Sequence, residues 1–111
     1  HNCLIGAHTV ICGCVGIAGS VRIGKHCVLA GRSAVGGDGQ LELADAVVLT
    51  AATVVLSSIT EPGIYSGGVL HSSTARWKRN ALRFHRLDEL NRRVAEWERR
   101  LRDKATDDEA R

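Results

Sequence analysis

Ile5-Gly6-Ala7-His8-Thr9-Val10, Ile11-Cys12-Gly13-Cys14-Val15-Gly16, Ile17-Ala18-Gly19-Ser20-Val21-Arg22 and Ile23-Gly24-Lys25-His26-Cys27-Val28 are four successive units of one pattern, and Leu29 and Val35 continue it. The aliphatic residue that opens each unit returns every sixth position. An α-helix repeats its apolar face near 3.6 residues and a β-strand near 2, so neither alone gives this period. Short strands joined by tight turns do, as in hexapeptide solenoids. The first and fifth positions are expected to point inward. The second, mostly Gly, Ala or Cys, must be small because the chain turns a corner there. Three units close one triangular coil, which stacks residues 18 apart directly above one another.

Working outward, the phase slips after Val35. The unit from Val35 to Glu42 has eight residues and contains Gly36-Gly37-Asp38-Gly39, a run that reads as a loop bulging from one corner. The hexads are expected to resume at Leu43, Leu49, Val55 and Glu61, with the solenoid ending near Tyr65 after Thr60-Glu61-Pro62-Gly63. The expected architecture is therefore an all-β solenoid over residues 1–66. A linker follows over 67–73, then a helical extension over 74–104 and a frayed tail over 105–111.

The chain has 111 residues and no methionine, and it opens inside the repeat, which reads as the C-terminal piece of a longer protein. Solenoid coils contact only their neighbours and need a cap at each end. No stretch approaches the roughly 18 consecutive apolar residues that span a membrane. Cys3, Cys12, Cys14 and Cys27 fall on repeat positions rather than on a disulfide framework, a usage that suits a reducing cytoplasm. Neighbouring residues of a strand or corner diverge, so Cys12-x-Cys14 is not read as a metal site. His8 and His26, 18 apart, should stack on an outward corner position without a third ligand.

From Thr74 to Lys104 there is no Gly or Pro. Ser73 or Thr74 can cap a short helix through Phe84. A second helix carries Leu87, Leu90, Val94, Trp97 and Leu101 at spacings of 3, 4, 3 and 4, a short heptad seam that needs a partner. Between Arg76 and Lys104, eleven Lys or Arg face five Asp or Glu, so the overall charge of +3 lies in the helices. Pairs such as Glu89–Arg93 and Glu96–Arg100 describe a solvated face. The cluster Arg92, Arg93, Arg99, Arg100 and Arg102 also describes a docking surface for an acidic protein. No nucleic-acid motif or interleaved aromatic pattern accompanies the charge.

Several segments together resemble the C-terminal third of the UDP-3-O-acylglucosamine N-acyltransferase family. They are His1-Asn2-x-x-Ile5-Gly6, Ala18-Gly19-Ser20-Val21-x-Ile23-Gly24, Gly39-Gln40-Leu41-Glu42, Ser58-Ile59-Thr60-Glu61-Pro62-Gly63-x-Tyr65-Ser66 and Trp77-Lys78-Arg79. The resemblance implies a left-handed parallel β-helix and a cytoplasmic homotrimer with sites between subunits. It also implies transfer of a 3-hydroxyacyl chain from the phosphopantetheine of acyl carrier protein to the 2-amine of a UDP-sugar in lipid A biosynthesis, with no bound cofactor or metal.

Attack of an amine on a thioester needs a base for the amine proton and donors for the developing oxyanion. A neutral imidazole suits the first task, its unperturbed pKa being about 6.5. His1 and Gly19 share the third hexad position one coil apart, so spacing alone makes them neighbours. The resemblance assigns them as general base and as donor of the oxyanion N–H. It further places Asn2 and Gln40 in substrate binding and Val54 and Leu56 in an acyl groove. This chain departs from the family at Gln40, where the family has histidine, and in the two extra residues before it. A related hexapeptide O-acyl- or acetyltransferase and a non-catalytic trimeric scaffold are the competing classes.

Overall fold

The computed structural model describes residues 1–37 and 39–111; Asp38, within the expected corner loop, lies outside the described residues. Two compact units are distinguished, His1–Val69 and Leu70–Arg111. The first carries β1 (Leu4–Ile5), β2 (Val10–Ile11), β3 (Gly16–Ile17), β4 (Arg22–Ile23), β5 (Val28–Leu29), β6 (Ala34–Val35), β7 (Glu42–Leu43), β8 (Val47–Leu49), β9 (Val54–Val55) and β10 (Gly63–Tyr65). These short strands form three parallel sheets, β1-β4-β7, β10-β8-β5-β2 and β3-β6-β9, each strand pairing with one a full coil away. The result is a three-sided solenoid of stacked coils, as the period of six requires.

Inward and outward positions follow the hexad. First-position residues Ile23, Leu29, Val35, Leu43, Leu49 and Val55 are buried, and so are Val21, Cys27, Ser33, Leu41, Val47 and Thr53 at the fifth. Polar members of the inward set are satisfied locally: Ser33 Oγ donates to the Ala30 carbonyl at 2.7 Å, and the Thr50 and Thr53 hydroxyls lie 3.2 Å apart. Among the described residues no buried side-chain N or O lacks a partner. The second position is crowded as expected. A Cβ on Gly6 would come within 2.5 Å of the Gly24 carbonyl carbon, and one on Gly36 within 2.7 Å of the Ala18 methyl.

The six-residue corners turn through a left-handed residue at the fourth position. His8, Cys14, Ser20, His26, Arg32, Ala46 and Ala52, with Asn2 before them, have φ between 56° and 64°. The N–H groups of Ser20, His26, Arg32, Ala46 and Ala52 donate at 2.8–3.0 Å to the third-position carbonyls of the preceding coil, those of His1, Ala7, Gly13, Lys25 and Gly31. A left-handed L-residue costs roughly 1–2 kcal/mol. The stacking bond made by every such corner offsets part of that cost.

The expected resumption of the hexads at Glu61 is corrected by the register. Ile59, not Glu61, pairs with Leu43, and Tyr65 pairs with Leu49. The Ala44 N–H donates to the Ile59 carbonyl at 2.9 Å, and the Ile59 N–H to the Glu42 carbonyl at 3.0 Å. Glu61 in that column would have buried a carboxylate without a partner, which is costly. The chain instead shortens the preceding corner and brings an aliphatic residue into place. Glu61 stays exposed, and its carbonyl accepts from the Tyr65 hydroxyl at 2.9 Å.

The second unit holds α1 (Thr74–His85) and α2 (Leu87–Ala110), separated by Arg86. Ser73 caps α1, its Oγ accepting from the Arg76 N–H at 3.4 Å. α2 runs past Lys104, so residues 105–110 are helical rather than a frayed tail. Good helix formers there, Ala105, Glu109 and Ala110, extend the helix. No helix among the described residues is long and apolar enough to cross a membrane.

Two substitutions separate the two sources of solenoid stability. Leu29→Ala should lower unfolding free energy by about 2–5 kcal/mol, since the side chain is wholly buried. Ala46→Gly should raise it by up to about 1 kcal/mol by relieving φ of 58°. Chemical denaturation checks both signs.

Candidate active site

The solenoid's three corners are not equivalent. Between first-position residues, two of them always advance by six: Ile5 to Ile11, Ile23 to Leu29 and Leu43 to Leu49 at one, and Ile11 to Ile17, Leu29 to Val35 and Leu49 to Val55 at the next. At the third corner the advance is six from Ile17 to Ile23, eight from Val35 to Leu43 and four from Val55 to Ile59. All departures from the repeat fall there. Loops that break a rigid scaffold are where binding residues concentrate.

His1 and Gly19 stand at this corner. The imidazole lies against the Gly19 backbone, so that a Cβ added to Gly19 would collide with His1 Nε2 and Cε1. The Ser20 N–H donates to the His1 carbonyl at 2.9 Å, which fixes the two coils in this register. Cys3 reinforces it, its thiol donating to the Ala18 carbonyl at 3.1 Å. The two residues expected to be neighbours from spacing therefore touch.

The third-position N–H is suited to holding an anionic oxygen, and the chain contains its own example. Lys25 occupies the same hexad position as Gly19 on another corner, and its N–H donates to Asp45 Oδ1 at 2.7 Å. Among the described residues no backbone or side-chain acceptor takes the Gly19 N–H. A carboxylate thus shows how an oxygen reaches this donor at one corner, and at the other the imidazole of His1 lies against the residue that carries the donor.

The strand register also brings Asn2 and Gln40 here. Leu4 pairs with Arg22 and Arg22 with Glu42, so Asn2, Ser20 and Gln40 each precede a paired residue of one sheet by two positions. Asn2 and Ser20 take the left-handed turn, with φ of 58° and 64°. The insertion changes the third coil: Gly39 takes the positive φ, 89°, one residue before Gln40. Gln40 is exposed, and none of the described hydrogen bonds holds its side chain.

An apolar groove of about 480 Å³ begins beside this corner and follows the outer face of the β3-β6-β9 sheet. Gly16, Ala34 and Val54 are stacked along one side and Ala18, Gly36 and Leu56 along the other. Small residues floor its beginning; Val54, 56% exposed, and Leu56, 72% exposed, rise at its far end. Sequence reasoning found the two large residues and missed the floor. Gly16 and Ala34 carried a signal, being the small members of a sixth-position set that mostly holds larger aliphatic or charged residues elsewhere.

The remaining candidates belong to other elements. His8 and His26 stack on another corner, with ring centroids 5.0 Å apart and planes inclined by 15°. Among the described residues no three His, Cys, Asp or Glu side chains converge as a metal would require. The five arginines lie on α2. Arg92 pairs with Asp88 at 3.3 Å and Arg100 with Glu96 at 2.7 Å. Glu89 pairs with Arg86 at 3.5 Å rather than with Arg93.

Replacing Gly19 by alanine tests the contact directly. Its φ is not in the left-handed region, so collision with the imidazole is the expected effect rather than backbone strain. Gly19→Ala should shift the His1 ring resonances in an NMR spectrum while leaving the melting temperature within a few degrees.

Comparison with known proteins agrees with the residue pattern. No family model matches the chain. It is 48% identical over 94 residues to a UDP-3-O-acylglucosamine N-acyltransferase of Hahella chejuensis, covering 85% of the chain and 26% of that protein. A protein of the same name from Delftia acidovorans is 43% identical over 105 residues, covering 95% of the chain and 31% of that protein. One from Bordetella avium is 45% identical over 94 residues, again 85% of the chain and 26% of the relative. The chain spans between a quarter and a third of the length of these relatives. Along most of its length it is similar to the C-terminal part of the UDP-3-O-acylglucosamine N-acyltransferases.

Proposed function

We propose that this chain supplies the catalytic corner and acyl groove of an N-acyltransferase of lipid A biosynthesis. The substrate is a UDP-3-O-acylglucosamine and the donor a 3-hydroxyacyl thioester on the phosphopantetheine of acyl carrier protein. The observation that carries this reading is the imidazole of His1 set against Gly19, beside an apolar groove.

His1 takes the proton of the sugar 2-amine as its nitrogen attacks the thioester carbonyl. The Gly19 N–H holds the oxyanion of the tetrahedral intermediate, as the Lys25 N–H holds a carboxylate. Collapse of that intermediate forms the amide and breaks the carbon–sulfur bond, and the proton passes from His1 to the departing thiolate. No serine or cysteine nucleophile is required, because the sugar amine is itself the nucleophile. The acyl chain lies along Gly16, Ala34, Ala18 and Gly36 and ends against Val54 and Leu56. Asn2 and Gln40 contact substrate at the same corner. Gln40 offers hydrogen bonds without charge, which favours an altered preference at that point. The working assembly is a cytoplasmic homotrimer.

In the intact protein, His1→Ala should lower turnover about 10²–10⁴-fold, the usual range for loss of a general base. His8→Ala and His26→Ala should leave it nearly unchanged. The assay is mass-spectrometric detection of N-acylated UDP-sugar with acyl carrier protein and coenzyme A donors. Near-normal turnover in His1→Ala would sink the assignment; acetyl transfer from coenzyme A alone would point to an acetyltransferase, and no product from any donor to a scaffold.

The donor is acidic, so it is drawn to the arginines of α2. Arg99 and Arg102 have no carboxylate partner among the described ion pairs and are the members to reverse. Arg99→Glu with Arg102→Glu should raise the apparent KM for acyl carrier protein severalfold and flatten its salt dependence, leaving kcat unchanged. Steering acts on encounter and is screened over about 8 Å at physiological salt. Donor kinetics that do not move would make these residues a solvated face.

A further inference from the structure

From Pro62 to Leu87 the chain has no Asp or Glu, and within that stretch α1 carries Arg76, Lys78, Arg79 and Arg83. None of these four enters an ion pair among the described residues. Trp77, Ala81 and Phe84, at spacings of 4 and 3, share one side of the helix. Arg76, Arg79 and Arg83, at spacings of 3 and 4, share another. Leu82 widens the apolar side, and with Trp77, Lys78, Ala81 and His85 it lines a shallow apolar depression of about 300 Å³. Trp77 is 53% exposed, Leu82 70% and Phe84 72%, and no residue of α1 is buried.

We propose that α1 seats the protein on an anionic lipid bilayer, with Trp77, Leu82 and Phe84 turned toward the acyl chains and the arginines toward the headgroup phosphates. Charge selects this occupant. A second copy of α1 would set cations against cations with no carboxylate between them. An acidic protein is matched by α2, where carboxylates interleave with the arginines, Asp88 with Arg92 and Glu96 with Arg100. α1 instead joins unpaired cations to exposed aromatic rings. Anionic headgroups over hydrocarbon accept both at once. The indole of Trp77 suits that boundary, having an apolar body and one N–H donor, and the arginine stems are long enough to reach back to phosphate. α1 has 12 residues and is neither long nor apolar enough to cross a membrane, so it lies along the surface.

The seat stands on α1 alone; its use rests on the proposed function. N-acylation adds a second acyl chain to a sugar that already carries one. A single chain holds a molecule to a bilayer marginally and reversibly, whereas two anchor it. An enzyme held at the surface therefore releases its two-chain product where that product partitions. The cations also divide by task, those of α1 toward lipid and those of α2 toward an acidic donor.

The test mixes the full chain with vesicles of phosphatidylglycerol and phosphatidylcholine in equal parts, and with vesicles of phosphatidylcholine alone. It should sediment with the first and not the second, less so as salt rises. Arg76→Gln with Arg79→Gln should weaken binding about tenfold or more, as expected for two cations near an anionic surface. Trp77→Ser with Phe84→Ser should weaken it by a similar factor, circular dichroism checking that each variant keeps its helices. In a Trp97→Phe background, Trp77 fluorescence should shift to the blue and be quenched by lipids brominated on their acyl chains. In Trp77→Phe, Trp97 should not be quenched. No binding to anionic vesicles overturns the seat. So does binding that Arg99→Glu with Arg102→Glu abolishes and the α1 variants do not. Binding without quenching of Trp77 leaves charge alone and overturns the apolar contact. If the α1 variants keep vesicle binding but lose affinity for acyl carrier protein, or sediment as a smaller species, the face belongs to a protein and the seat is overturned. Vesicle binding needs no turnover: an inactive protein that binds overturns the proposed function alone, and an active one that does not bind overturns the seat alone.

Discussion

Coil-to-coil register is the constraint on which this structure depends. Each strand has only two or three residues, too few to hold itself, and each pairs in parallel with a strand one full coil away. Isolated pieces of sheet this short are unstable in water. The coils persist because one stacking event satisfies three demands at once. It buries the first and fifth side chains, closes the backbone ladder, and ties the left-handed corner residue to the carbonyl below. An error of one residue would turn every inward side chain outward. The two extra residues before Glu42 are accordingly absorbed within their own corner, so that Glu42 and Leu43 pair with Arg22 and Ile23, and the later four-residue corner brings Ile59 over Leu43 and Tyr65 over Leu49.

The same register builds the candidate site. Nothing local in the sequence around His1 positions its ring; Gly19 does, from one coil away, through the absence of a side chain. The outward N–H at the third hexad position belongs to the repeat rather than to the site, as the Lys25–Asp45 bond shows. A solenoid of this kind therefore carries a potential oxyanion donor at each such position. What distinguishes one of them is the residue stacked on it and the surface beside it. Here these are an imidazole and a groove floored by glycine and alanine.

Much of the fold was legible because its period is unlike any other. The six-residue spacing gave the coil, the inward positions and the adjacency of His1 to Gly19. The helix α2 was legible for the same reason, as a periodic pattern. What failed to read was the last corner. A strict count put Glu61 inward, and only the cost of burying a carboxylate argues for the shorter corner that the register adopts. The groove floor was hidden because small residues look featureless in sequence. They become a site only when Gly16, Ala34 and Val54 are placed in one column by pairing. The end of α2 was misjudged because charge was read as fraying, although acidic and alanine residues are compatible with helix.

The confinement of every irregularity to one corner links these observations. Two corners advance by six residues at each turn, the shortest regular solution when a corner has only to return the chain to the next strand. The third advances by six, eight and four, and its surplus and its deficit cancel. The coils on either side keep their pairing through both irregularities, so this corner varies without disturbing the stack. His1, Gly19, Gln40 and the mouth of the apolar groove all lie there. The corner that departs from the repeat and the corner that holds the imidazole are the same, and that coincidence makes it the candidate site on the chain's own evidence.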